Sequence, residues 1–466
     1  MFGRTARLAR RDLEVSPAAL RRLAAHAPDR YPVLLDSALA GPLGRYSLLL
    51  AGDGRALRLD RAGRLQRESG PIEGAGFLPA LEAWWRSECA ARDALVPEPE
   101  LPWCGGFAVF LGYELAAEVE PVLHLPATPL PWQAAALRTP AAIVHDAASG
   151  RIALLAEPGA DAPAWLARLE ADLRAAESAP GGPTAPAGPF EIREDRPAEF
   201  IERLQRVQQH IAAGDVYQVN LSRSWQGPWP PGASSAALYE RLRLANPAPF
   251  AAWWRDAGLE ILSSSPERLV CIRDGRIATR PIAGTRPRRH GAGAASDAAV
   301  AAELARHPKE RAEHVMLIDL ERNDLGRVCV PGSVAVSDFM TIETYEHVHH
   351  IVSGVEGRLR ADVTPVGALR AVFPGGTITG CPKVRCMQII AELERCGRGA
   401  YTGSIGYLGL DGSADFNILI RTLTRSGGQI ELRAGAGIVA DSDAQRELEE
   451  TRAKARGVLR ALEGTA

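Results

Sequence analysis

The sequence predicts a mixed α/β or α+β fold with predominantly antiparallel strands. Two observations carry this. Apolar residues recur with a period of about 3.6 in some stretches and about 2 in others, and the two kinds of stretch alternate along the chain. No internal repeat is present, so the alternation belongs to one irregular architecture rather than to an array. From the N-terminus, YSLLLAG at 46 to 52 and GGFAVFLGY at 105 to 113 read as strands, with helical stretches near 75 to 93 and 162 to 177. The Ala-, Pro- and Gly-rich AAESAPGGPTAPAGPF at 175 to 190 has too little apolar periodicity to pack, and its second half reads as a surface linker. It separates an N-terminal region, 1 to 180, from a second domain, 190 to 463. There AEFIERLQRVQQHIAAGDVYQVNLSRSW reads as a helix ending at Gly214 and then a strand, because the apolar period changes. Strands follow at 258 to 264, 267 to 273 and 276 to 280, then a Gly/Ala-rich loop and a helix opened by Pro308 in its first turn. The remainder reads as a strand in HHIVSGVEGRL, helices at 364 to 372 and 382 to 396, strands at 402 to 410, 414 to 424 and 428 to 440, and a last helix from about 443.

With 466 residues, 46% hydrophobic and 24% charged, the chain has an ordinary globular composition. The 54 basic and 56 acidic residues leave a net charge of -2, which offers no general field for nucleic acid or an anionic membrane. A small-molecule substrate fits better. The seven cysteines include no C-x-x-C pair and are odd in number, as expected of reduced thiols. The basic start MFGRTARLARRDLEV meets Asp12 and Glu14 at once and has no apolar run suited to a signal peptide or a span. A cytoplasmic protein is expected.

Two acidic clusters stand out. In PKERAEH, Glu310 and Glu313 are three apart and so lie about 60° apart on one helical face. In RELEETRAK, Glu447, Glu450 and Lys454 share a face of another helix. Four carboxylates on two helices could bind a hard divalent cation such as Mg²⁺ while leaving positions for waters and an anionic substrate. Taken alone, Glu450 and Lys454 at i,i+4 also make an ordinary exposed ion pair. The surroundings favour the metal: VMLIDL follows one cluster and GAGIVADSD precedes the other, and a carboxylate facing an apolar interior needs a cation, a proton or a donor.

Glycines mark two anion cradles. FPGGTITGCPK places three glycines and two threonines immediately before a helix, and GAGIVAD places Gly435 and Gly437 just before another. Neither matches G-x-x-x-x-G-K-[ST], and no G-x-G-x-x-G follows a strand, so a carboxylate is a better guess than a nucleotide phosphate. Arg421 sits in a strand reading NILIRTLT, apolar on both sides, and its guanidinium there requires an anion: a substrate carboxylate or an internal salt bridge. Tyr401, His350 and Glu267 are polar residues bordering apolar runs, and for His350 a hydrogen-bonded core imidazole is the plain alternative.

Together these segments resemble the chorismate-utilising family of anthranilate, aminodeoxychorismate, isochorismate and salicylate synthases. The resemblance is carried by SPERLV, RPIAGTRPR, KERAEHVMLIDLERNDLGRV, HVHHIVSGVEG, FPGGTITGCPKVRCMQII, GAYTGSIGYLG, DFNILIRTL and AGAGIVADSDAQRELEETRAKA, in the right order over roughly 200 to 460. VLLDS, GRYSLL and GGFAVFLGYEL resemble the family's N-terminal region. The resemblance implies two packed, mainly antiparallel sheets flanked by helices, with the active site between them. It implies that Glu313 and Glu450 ligate Mg²⁺ and that Glu310 and Glu447 hold metal waters. It further implies that Arg421, Tyr401, Thr377 and the backbone at Gly435 hold a substrate carboxylate. Glu267 matches the general acid that protonates the departing C4 hydroxyl, and His350 and Lys454 match other active-site positions. Ala283 and Thr285 fall in the motif PIAGT, which borders the substrate.

Gln218 bears on which member this is. The isochorismate and salicylate synthases it resembles carry Lys there as the base that activates water, and glutamine cannot take that proton. The chain therefore looks like an ammonia user, with ammonia expected from a separate class I glutaminase partner, since the nucleophile motif G-x-C-x-G is absent. QVNLSR, GCPKVRCMQII and YTGSIGYLG look more like aminodeoxychorismate synthases, transferases that aminate C4 on the route to 4-aminobenzoate and folate. Many of these have a covalent Lys where Ala283 stands, and anthranilate synthases share the alanine. Either this chain adds ammonia directly at C4, or it aminates C2 and expels pyruvate. LLDS with GRYS resembles a tryptophan-binding segment at Asp36 and Ser37, with Asp36 in place of the usual Glu. A non-catalytic aromatic-acid-binding regulatory subunit would show gaps among the acidic residues, and none is missing.

Overall fold

The strand Tyr46–Ala51 shows why so many strands here are apolar without interruption. Its Leu48 and Leu50 enter one buried cluster with Ala108, Phe110, Ala135 and Leu137. Leu49 and Ala51 enter another, with Leu20 and Leu23 of the helix Ala18–His26 and Leu166 and Leu169 of the helix Ala162–Ser178. Successive side chains on a strand point to opposite faces, so a strand covered on both sides reads as one continuous apolar run. Gly106–Leu111 repeats the pattern: Ala108 and Phe110 face the first strand's sheet, whereas Phe107, Val109 and Leu111 pack on Leu78, Leu81 and Trp84 of the helix Phe77–Ala90.

These clusters are the layers of a computed structural model that describes residues 5–39, 41, 43–68, 72, 74–91, 94–95, 100–179, 190–288, 294–344 and 348–464. Among them, two sheets of twelve and eleven strands pack face to face with helices outside. Every pairing within the two sheets is antiparallel. The expected two-sheet architecture with flanking helices is therefore present. Strands from both ends of the chain share each sheet: Phe250–Asp256 pairs with Val33–Asp36, and Ser404–Gly409 with Gly106–Leu111. The linker centre, 180 to 189, lies outside the described residues. No helix among the described residues is long and apolar enough to cross a membrane.

Three local expectations are corrected. The segment read as a Gly/Ala-rich loop holds the helix Ala294–Arg306, for which its many alanines are strong formers. Gly435 and Gly437 do not adjoin a helix start; they lie inside the strand Gln429–Ile438, within the strand expected at 428 to 440, and the last helix starts only at Ala444. Arg421 is not in a strand. The stretch 414 to 424 splits into Ala414–Asn417, in one sheet, and Thr422–Ser426, in the other, and Arg421 makes the corner at φ 52°. A non-glycine residue there is uncommon and mildly strained.

A buried ionic network braces the floor of this corner. Glu394, at the end of the helix Lys383–Glu394, accepts from Ser222 N and Oγ, from Arg398 Nε and Nη2, and from Arg433 Nη2. Burial alone would raise its pKa, but Arg398 and Arg433 outweigh burial and hold the carboxylate below its usual range. Its stabilising contribution is therefore present at neutral pH and lost as pH falls through that depressed value. Arg398 Nη2 also donates to Asn220 O at 2.7 Å and Arg398 Nη1 to Ile378 O at 3.2 Å, tying a strand to a turn that both reach the site. Glu394→Gln should leave the buried guanidinium groups undercompensated and cost about 3–5 kcal/mol, readable as a lower thermal midpoint at pH 7.

Candidate active site

The chain passes from one sheet to the other twice at the same place. Leu259–Ser265 belongs to one sheet and Arg268–Arg273 to the other, so Glu267 sits on the crossing. Arg421 sits on the second crossing. The two are stitched together: Ile418 N donates to Glu267 O at 3.0 Å, and Ser264 N to Arg421 O at 3.2 Å. Backbone that leaves a sheet frees its side chains from the alternating pattern, and these two polar groups thus face each other at the edge of an apolar core. Glu267 is 7% exposed. Burial pushes its carboxyl up to about 7, against the opposing pull of the Thr377 hydroxyl, Lys454 and Arg421. Thr377 Oγ1 donates to Glu267 Oε1 at 2.7 Å. The Arg421 guanidinium makes no hydrogen bond with any described residue. Burial disfavours its charge and Glu267 partly restores it, so the internal salt bridge weighed from sequence is not formed and the fork is available to an anion.

A polar row lies opposite. The strand Gln218–Pro228 buries Val219 and Leu221 on its helix side and carries Gln218, Asn220 and Ser222 on the other. Its neighbour Gln429–Ile438 sets Gly437 opposite Asn220 and Gly435 opposite Ser222. The glycines are required by close approach: a Cβ at Gly437 would stand 2.2 Å from Gln218 Nε2, and one at Gly435 2.7 Å from Tyr401 Oη. Lys454 Nζ donates to Gly435 O at 3.0 Å. Gly437→Ala should displace the Gln218 amide and lower kcat/KM about a hundredfold, with the thermal midpoint little changed.

The acidic residues close the third side. Glu310 and Glu313 lie on the helix Pro308–Gly326, and Glu447 and Glu450 on Ala444–Glu463. Gln218 Nε2 donates to Glu313 Oε1 at 2.7 Å. Burial, then Glu310 and Glu450, oppose ionisation of Glu313; burial, then Glu450, oppose that of Glu447. Negative charge is thus concentrated in excess of the cations paired with it among the described residues, Arg286 on Glu310 at 2.9 Å and Lys454 on Glu450 at 2.7 Å, with Lys309 acting on Glu447 from its own pair with Asp441. This all-oxygen donor set suits a hard cation such as Mg²⁺. With Glu310 and Glu450 held by those cations, no three ligands among the described residues already converge on one point. The exposed ion pair foreseen for Glu450 and Lys454 is formed, and Lys454 additionally reaches the glycine strand.

His350 lies in the strand Val348–Arg358, opposite Thr285 in register. Burial, with the charge of Arg421 beside it, depresses its pKa to about 4, so it works as a neutral imidazole. Ala283 and Thr285 lie on the paired strand Ile282–Pro287, and their side chains fall outside the described residues. Asp36 and Ser37 lie elsewhere, on a separate cavity of about 240 Å³ shared with Tyr46, Pro249 and Tyr407. Asp36 is already bound by Arg243 and Ser47, and Ser37 Oγ donates to Tyr46 O. Two residues of the site escaped the sequence reading. Asn220 Oδ1 is buried beside Gly435 without a partner among the described residues, and the alternation of Gln218, Asn220 and Ser222 in a buried strand could have found it. Glu321, two turns beyond Glu313, carried no such signal.

A family model for chorismate binding enzymes matches residues 64–460. The chain belongs to that family. Chorismate is the family's substrate, and this protein is a chorismate-utilising enzyme. Its relatives include both anthranilate synthases and aminodeoxychorismate synthases. An anthranilate synthase component I-like protein of Synechocystis sp. is 41% identical over 91% of this chain and 84% of its own length. An aminodeoxychorismate synthase of Streptomyces griseus is 39% identical over 97% of this chain, which spans 63% of that protein. Among solved structures, anthranilate synthase component I from Streptococcus pneumoniae TIGR4 superposes with a TM-score of 0.78 at 29% identity, covering 90% of this chain and 93% of that one.

Proposed function

We propose that this chorismate-binding enzyme is the synthase subunit of an aminodeoxychorismate synthase. It would aminate chorismate at C4 in a Mg²⁺-dependent reaction, with ammonia from a separate glutaminase, and yield 4-amino-4-deoxychorismate for 4-aminobenzoate and folate synthesis. The observation that carries amination is the Gln218 contact: its amide nitrogen donates to Glu313 at 2.7 Å. A neutral amide in that place cannot deprotonate water, which favours a nucleophile strong enough to attack without prior deprotonation, as ammonia is.

The chain's own groups divide the remaining work. Arg421 and Tyr401, with Thr377 and the backbone at Gly435, orient the carboxylates, while neutral His350 borders the ring without adding charge. Mg²⁺, held by Glu313 and Glu450 with Glu310 and Glu447 on its waters, would draw electrons from the ring through its carboxylate. Glu267 gives its proton to the departing C4 hydroxyl, the C4–O bond breaks and water leaves. The C4–N bond forms and the new ammonium sheds a proton. Ala283 offers no nucleophile, which favours direct addition over a covalent enzyme intermediate. The same alanine supports a second reading, anthranilate synthase, with C2 amination and loss of pyruvate. Regulatory tryptophan in the cavity at Asp36 and Ser37 belongs to that reading too. Incubating the purified chain with chorismate, Mg²⁺ and ammonium salt should give an aminated product of unchanged carbon skeleton, convertible by a lyase to 4-aminobenzoate. Fluorescent anthranilate with stoichiometric pyruvate would overturn the C4 assignment.

A further inference from the structure

Glu321 is 6% exposed and stands on the same helix as the acidic pair, yet it has no ion-pair partner among the described residues. The Thr279 hydroxyl faces it without forming a well-shaped hydrogen bond. A buried carboxyl left this way is costly unless it keeps its proton. Its position is specific. Thr377 in the short turn Gly376–Ile378 donates to Glu267, and a Cβ on the adjacent Gly376 would lie 3.5 Å from Glu321 Oε1, so the two carboxyls flank one turn. One helical turn further, Asp324 is ion-paired with Lys383 Nζ. Asp324 and Lys383 line an outer groove of about 720 Å³ together with Tyr217, Val315 and Leu320. From groove to site the order is Lys383, Asp324, Glu321, Glu267.

We propose that Glu321 is a positioning residue for the general acid, the inner member of a line of titratable side chains that returns a proton from the outer groove to Glu267 after each turnover. This rests on Glu267 being the acid. In each cycle Glu267 loses a proton to the departing hydroxyl and becomes a carboxylate. Glu321 passes its own proton inward and is recharged from the Asp324–Lys383 side, while the proton shed by the product ammonium leaves to solvent. One proton enters and one departs. Burial pushes Glu321 up to about 7, with Asp324 adding to the shift and Lys383 opposing it, and burial brings Glu267 to about 7 as well. Acids so matched exchange a proton with little free-energy difference. The groups facing the pair are Asp324, Lys383 and Thr279 on the Glu321 side and Thr377, Lys454 and Arg421 on the Glu267 side.

The test is Glu321→Gln in the full chain, assayed with chorismate, Mg²⁺ and ammonium across pH 5.5 to 9. The isosteric amide removes a carboxyl without cutting an ion pair, so the thermal midpoint at pH 8 should be native or higher. The expected result is a kcat reduced about tenfold or more, a nearly unchanged KM, and a basic limb of the rate profile moved to lower pH. Glu321→Asp should recover part of both. A native kcat and limb position in Glu321→Gln would overturn the proposal, as would a lower kcat with an unmoved limb. Glu267→Gln, run in parallel, separates the two claims: full activity there removes the general acid itself, whereas a failure confined to Glu321→Gln leaves it standing.

Discussion

Glutamine in place of Glu313 or Glu450 should abolish chorismate turnover while the protein stays folded. Each change keeps the side chain's size and removes one negative charge from a cluster in which burial already opposes ionisation of Glu313. The amide remains a weaker, neutral oxygen donor, poorly suited to a hard divalent cation that prefers carboxylates and waters. Loss of Mg²⁺ would leave the ring carboxylate uncompensated and the diene unactivated. Stability should move little at Glu313, since its partner Gln218 can rotate its amide to meet the new group. Calorimetric titration with Mg²⁺ separates this account from a folding defect: binding should vanish with an unchanged thermal midpoint. Full activity in either variant would reject the metal assignment.

Glu267→Gln is the second large effect, with kcat expected to fall about 10²–10⁴-fold. The hydroxyl is a poor leaving group unless it departs as water, and Glu267 is the carboxyl that burial has raised to about 7 where it can supply the proton. The sign of the pH dependence follows. Below about 7 the acid is protonated and competent; above it the competent fraction falls tenfold for each pH unit. Native kcat/KM should therefore decline on the basic side of about 7, and that limb should disappear from the residual activity of Glu267→Gln. A native-like rate, or an unchanged basic limb, would remove Glu267 from the acid's role.

The acidic faces were readable from the sequence because helical geometry alone puts residues three and four apart side by side. Both carboxylate pairs fall where that spacing puts them. Gly435 and Gly437 fall in the strand expected at 428 to 440, but the helix expected just after them starts only at Ala444, so they reach the site from a strand and not from a helix start. Arg421 read as strand because its neighbours are apolar on both sides. In the fold that apolarity serves a chain leaving one sheet for another, and one-dimensional periodicity carries no sign of the crossing. Glu321 was hidden for a related reason: it stands between Asp319 and Asp324 with nothing local to set it apart, and only the turn at Gly376 brings it beside Glu267. Which residues bear charge was legible. Which of them come together depended on long-range sheet pairing that local sequence does not encode.

The central claim, that a preformed amine is the nucleophile at a site whose Gln218 cannot activate water, is tested most directly by isotope. The purified chain should be incubated with chorismate, Mg²⁺ and ¹⁵N-labelled ammonium in ¹⁸O-labelled water, and the product weighed by mass spectrometry. A product carrying one ¹⁵N and no ¹⁸O is the expected result. A product carrying ¹⁸O and no nitrogen, with or without ammonium present, would contradict the account.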